Sequence, residues 1–252
     1  MKKKIGYFGG IVGVALLAAS TAIPAYADTN DQAFSESVVD SLVSFWGAGG
    51  VSASDQSILV ANIQNGIVPL SLQRGSEPVD TATERVGLFE RTTETFADGS
   101  IRIADLQVEP GVVADPTDIT STEAAPTSAD DVTIMTDITA CSVSSGSGYS
   151  NADNCLVRGG GGLVTNFFYA SYTLVQGANN DQLRNTKNPG QTCIYPYSCT
   201  TPSRSQFVGQ ETTWTNAGAT YTGTASTPLS SQTTYLSIEV GEDHATPIWT
   251  MP

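Results

Sequence analysis

All four cysteines of this 252-residue chain, Cys141, Cys155, Cys193 and Cys199, lie in its second half. Whether they are thiols or crosslinks decides what kind of core that half requires, and the N-terminal residues bear on the answer. Lys2, Lys3 and Lys4 precede an apolar run from Ile11 to Ala19, and Ala25, Tyr26 and Ala27 supply the small-x-small pattern cut by a signal peptidase. A membrane-spanning helix needs about 20 predominantly apolar residues. This run is shorter, carries Gly9, Gly10 and Gly13 within or beside it, and is followed by Pro24. Residues 1–27 are therefore expected to be a cleaved signal peptide, and the mature chain from Asp28 a secreted, extracellular protein with no stable membrane anchor. In that compartment the cysteines form two disulfides. Of the three possible pairings, Cys141 with Cys155 and Cys193 with Cys199 is preferred, because each closes a polar, turn-rich segment. Loop closure contributes about 3 kcal/mol for the larger ring and about 2.4 kcal/mol for the smaller. No CxxC spacing occurs and the single histidine, His244, lies far off in sequence. Neither a zinc site nor any cofactor is expected.

Removing the leader takes three of the eleven basic residues and none of the 25 acidic ones, leaving a net charge of −17. Residues 28–138 carry 19 acids against Arg74, Arg85, Arg91 and Arg102, whereas residues 139–252 carry six acids and four bases. A field of this sign repels nucleic acid and anionic lipid, so neither is expected as a partner.

From Glu109 to Asp137 the sequence is dominated by Pro, Thr, Ser, Ala and Asp, which predicts an extended, self-repelling linker over 109–138. It divides a first module, 28–108, from a second, 139–252. In the first module, Phe34, Val38, Leu42, Phe45 and Trp46 fall on one stripe of a helix from about Gln32 to Trp46. Ser52 and Asp55 make a capping box for a second helix carrying Ile58, Leu59 and Ile63, which stops at Asn65 and Gly66. The period then changes. Val86, Leu88 and Phe96 lie in an alternating run, and Asp98 and Gly99 separate it from Ile101, Ile103, Leu106 and Val108, predicting a two-residue β-hairpin turn.

Gly50, Val51, Ser52, Gln56 and Leu59, then Asn65, Gly66, Ser71, Leu72 and Pro78, and finally Phe96, Asp98, Gly99, Ser100 and Ile101, form a pattern over roughly residues 40–108. It resembles an N-terminal pattern of secreted actinobacterial proteins of unknown function. The resemblance supports the module boundary and brings no catalytic residue with it.

The second module reads as β throughout. Leu163 to Val175, Phe207 to Thr215, Ala219 to Thr224, the alternation of Leu236, Ile238 and Val240, and Ile248 to Thr250 are all strand-like. The fold class is therefore α+β: a small helical hairpin with a β-hairpin, then an antiparallel β-sandwich or small barrel with two disulfides. The Gly159–Gly162 run lacks any phosphate-loop pattern and is expected to be a flexible turn. Asn151, Asp153 and Asn154, and likewise Asn179, Asn180 and Asp181, match no calcium loop and read as ordinary turn residues.

Catalytic equipment is sparse. No GxSxG elbow accompanies His244, and the cysteines are oxidised. Glu211 and Glu239, both on predicted strands with Trp214 as a sugar platform, are the carboxylates that a glycan hydrolase would use, yet strand alternation turns them toward solvent. Tyr195 and Tyr197, on the short loop between Cys193 and Cys199, and Trp214 are the candidate binding residues, since rigid aromatics bind with little entropy loss. The expected function is a secreted, non-enzymatic binding protein that recognises an extracellular glycan or protein; the alternative is a small secreted glycan hydrolase using paired carboxylates.

Overall fold

The computed structural model describes residues 35–123, 140–177, 179–228 and 230–251. The expectations for residues 1–34, including Phe34, and for the linker from residue 124 to 138 lie outside them. Helix α1 spans Glu36–Ala48 and buries Leu42, Phe45 and Trp46, with Val38 packed at its margin. Helix α2 spans Ala53–Gln64 and buries Leu59 and Ile63, while Ile58 points to solvent. The Ser52 hydroxyl accepts from the Asp55 amide at 3.2 Å and donates to its carboxylate at 2.7 Å, so this cap forms as the sequence predicts.

Seven strands form the first sheet: β1 Asp80–Val86, β2 Phe89–Thr95, β3 Ile101–Gln107, β4 Ser142–Gly146, β5 Tyr149–Gly160, β6 Val164–Val175 and β7 Gln182–Cys193. They pair antiparallel in the order β1-β2-β3-β5-β6-β7, with β4 alongside the first half of β5. The second sheet contains β8 Ser198–Cys199, β9 Ser203–Val208, β10 Ala217–Ser226, β11 Ser231–Gly241 and β12 His244–Thr250, in the order β12-β11-β10 with β8 and β9 both on the free edge of β10. Among the described residues neither sheet closes into a barrel.

The sheets face one another, β12 lying across β3 and β5, β11 across β6, and β10 across β7. Val157, Phe168, Tyr221, Leu236, Ile238 and Trp249 belong to the core between them. A polar network runs through that core: Trp249 Nε1 donates to Asn166 Oδ1 at 2.8 Å, and Asn166 Nδ2 donates to Thr234 Oγ1 at 3.1 Å. No Cβ fits at Gly159 between Trp249 and the Ile103 carbonyl. Gly159 and Gly160 are thus the end of β5 and not part of the expected flexible turn, and the missing side chain is what admits the tryptophan.

The opposite face of the seven-stranded sheet is covered too. Gly49 abuts Ile101 and Ile103, and Phe89, Leu156 and Tyr169 form an apolar patch with Val113. Beside that patch Arg91, Asp105 and Arg158 stand directly opposite each other on β2, β3 and β5, all fully buried. Asp105 takes Arg91 Nε at 2.8 Å on one oxygen, and Arg91 and Arg158 together on the other. Further guanidinium protons reach carbonyl oxygens: that of Ala48 at the end of α1, and those of Asp118, Ile119 and Ser121. Buried charges persist only when their hydrogen-bonding capacity is filled in this way.

Residues 109–123 are accordingly not a free linker. They run over the sheet as a strap of turns, with Val113 and Ile119 buried, the Ser121 amide donating to the Asp118 carbonyl at 3.1 Å, the Thr122 carbonyl accepting from the Leu88 amide at 2.8 Å, and Gly111 bridged to Cys141. Composition predicted an extended backbone, whereas the described part of the segment turns at 116–117 and 119–120. Nor did composition reveal that buried arginines use the segment's carbonyls. In consequence β3, before the strap, pairs with β5, after it, and the two predicted modules share one sheet.

One further expectation changes in detail. Between β2 and β3 the Phe96 amide donates to the Ser100 carbonyl and the Gly99 amide to the Phe96 carbonyl, leaving a three-residue loop closed by Gly99 at φ +80°. That geometry is a type I turn ending in a left-handed residue, which a two-residue turn does not allow. The disulfides Cys141–Cys155 and Cys193–Cys199 form with the preferred pairing.

Candidate functional site

Strand β9 ends at Val208, and residues 209–216 form an irregular loop in place of the predicted strand to Thr215. The reason lies in Glu211. Its amide donates to the Asp181 carbonyl at 2.9 Å and its side chain turns inward, which breaks the ladder. Thr212 and Thr215 then bridge each other across a tight turn, the Trp214 amide reaches Thr212 Oγ1 at 3.3 Å, and the indole at the tip is 92% exposed.

Facing this loop is the connection between β11 and β12. Gly241 pairs with His244, so Glu242 and Asp243 are the two turn residues, and both have left-handed backbones, φ 58° and 61°. For residues with a side chain that conformation costs about 1–2 kcal/mol each, which is why Asn-Gly is usual at such turns. Two buried carboxylates offset the cost. The Glu242 amide donates to Glu211 Oε1 at 3.1 Å, and the Asp243 amide to Asp181 Oδ2 at 2.8 Å. Glu211 Oε2 accepts the Asp181 amide at 3.2 Å, and Asp181 Oδ1 accepts the Val175 amide at 2.6 Å. Bonds from amides to a charged acceptor contribute about 1.5–3 kcal/mol each. Asp181, 0% exposed, and Glu211, 7% exposed, thereby tie together the ends of β6, β7 and β11 and the Trp214 loop.

The cleft between these loops has a volume of about 640 Å³. Trp214 forms one side, Thr212, Thr213 and Asn216 its neighbouring wall, and Asn179, Glu242 and Asp243 the other; no basic residue lines it. The chemistry on offer is an aromatic face next to hydroxyl, amide and carboxylate groups held by a rigid base.

The sequence-selected residues are not brought to one place. Trp214 is at this cleft, whereas neither Tyr195 nor Tyr197 lines it. Tyr195 is 50% exposed, but Tyr197 is only 8% exposed and packs in the core, and burial pushes its phenol above the ordinary tyrosine range. The constrained loop therefore presents one aromatic ring and not two. Glu239 is exposed on β11 and does not line the cleft, and the two oxygens of Glu211 are engaged by backbone amides. His244 Nε2 lies 3.3 Å from Glu90 Oε1, joining β12 to β2.

Sequence reasoning missed Asp181 and the Glu242–Asp243 turn as parts of the site. The turn was legible as two polar residues between alternating strands; the partnership of Asp181 with an amide 62 positions away was not. No family model, curated protein or solved structure matches this chain.

Proposed function

We propose that this protein is an exported binding protein that takes up an extracellular glycan at the cleft beside Trp214. The observation that carries the reading is the tryptophan itself, 92% exposed on a turn braced by Thr212, Thr215 and Glu211. Exposing an indole forgoes the hydrophobic gain of burying it, and a rigid aromatic platform recovers that gain by stacking on the apolar face of a sugar ring. Asn179, Asn216 and the threonines supply partners for ring hydroxyls. Cleavage of the bound glycan is disfavoured, because the carboxylate closest to the indole in sequence, Glu211, has both oxygens committed to structural amides and Glu239 does not line the cleft that holds Trp214.

The test is depletion of purified residues 28–252 from solution by cell walls and insoluble polysaccharides, with released reducing ends assayed in the same tubes. Saturable depletion without release is expected. Trp214→Ala should weaken it tenfold or more, about 1.4 kcal/mol, without lowering the thermal midpoint. Release of sugar would replace this reading with the hydrolase, and binding indifferent to Trp214 would remove the cleft from it.

A further inference from the structure

A second depression, of about 170 Å³, lies on the outer face of the five-stranded sheet and shares Thr215 and Asn216 with the Trp214 cleft. It is built by register. Gly218 on β10 stands between Val208 on β9 and Glu239 on β11, and one step along Thr220 stands between Gln206 and Ser237. Gly218 has no side chain, and a Cβ added to it would lie 2.7 Å from the Ile238 carbonyl oxygen. The floor is therefore bare backbone, flanked by Val208 and the Glu239 carboxylate, with the Gln206 amide and the Thr220 and Ser237 hydroxyls, 3.0 Å apart, at one end. Three strands span two inter-strand spacings, about 10 Å, roughly the length of a disaccharide.

Resting on the glycan reading of the cleft, we propose that the binding site continues from Trp214 across Gly218 and accommodates a neutral linear polysaccharide longer than a disaccharide. The two depressions divide the work. Trp214 offers the only aromatic ring in either lining, so stacking occurs at that end, while Gln206, Ser237 and Glu239 hold further units by hydrogen bonds alone. The charge of the linings decides the class of polymer. Glu239, Glu242 and Asp243 border the path and no basic residue does, so a polyanion is repelled along its whole length.

The experiment titrates residues 28–252 with cello-oligosaccharides and chitin oligosaccharides of two and six units, with hyaluronan as the polyanionic control. A hexamer of at least one series is expected to bind tenfold or more tightly than its dimer, and hyaluronan not to bind. Gln206→Ala combined with Glu239→Ala, both on exposed side chains, should bring the hexamer to the dimer's affinity and leave the dimer unchanged, while Trp214→Ala weakens both. If dimer and hexamer bind equally, or the double variant holds the hexamer as the parent does while Trp214→Ala still weakens it, the extended track is overturned and the cleft reading stands. If no oligomer of either series binds, the track is overturned for these polymers; only failure of the polysaccharide depletion as well removes the cleft reading.

Discussion

Asp105 is one carboxylate shared by two buried guanidiniums, and burial, with a smaller push from the Arg91 charge, lowers Arg158 from its usual value against the opposing pull of Asp105. Removing the negative charge leaves two cations facing each other in a site closed to water. Asp105→Asn is expected to destabilise the protein by about 3–5 kcal/mol, read as a lower urea midpoint with an unchanged slope. Three tyrosines give the complementary alkaline test. Burial raises the phenols of Tyr169, Tyr172 and Tyr197. A raised folded-state value means that the neutral form is the one folding holds, so stability is whole below about pH 10, where free tyrosine titrates, and falls as pH rises from there toward the folded values. Phenolate absorbance from these three should appear together with loss of the circular dichroism signal and not before it. None of this was legible beforehand: Arg91 and Arg158 lie 67 positions apart, and neither neighbourhood marks a buried charge.

The elements best read from sequence are those whose signals are local. The stripe of α1, the Ser52 cap of α2 and the alternation of β11 each depend on residues within a few positions of one another, and each formed as predicted. Strands β5 and β7, which hold Asn, Asp, Gly and, in β7, Lys and Pro, carry little strand propensity over much of their length. Strand β5 exists because β3 and β4 on one side and β6 on the other flank it, and the edge strand β7 because β6 pairs with it and β10 packs across it, which is a property of the sheet and not of the segment. The site divides in the same way. Trp214 was found from its residue type, while its bracing by Glu211 and Asp181 came from contacts between separate loops. The β11–β12 turn supplies a prediction at this scale. Replacing Glu242 with Asn and Asp243 with Gly keeps both amides for the buried carboxylates and removes the left-handed strain, so the double variant should be about 1–2 kcal/mol more stable, checked by thermal melting.

At the scale of the whole molecule, the predicted pair of sheets is present, but the division into two modules does not describe how the first sheet is assembled. Its strands come from both sides of the strap, and the ladder between β3 and β5 joins them. Strand β12 then lies across β3 and β5 and places Trp249 against Gly159. Deleting residues 244–252 should therefore abolish folding of the entire protein, seen as loss of cooperative unfolding, and not merely trim one sheet. That geometry also bears on timing. A chain emerging from a ribosome or a translocation channel delivers β1 to β3 early, yet β3 acquires its partner β5 only when residue 160 is out, and the inner face its cover only when Trp249 follows. The molecule is sealed by its last strand, so an interrupted product is left with an open core, visible to quality-control proteases, whereas a complete one closes over it.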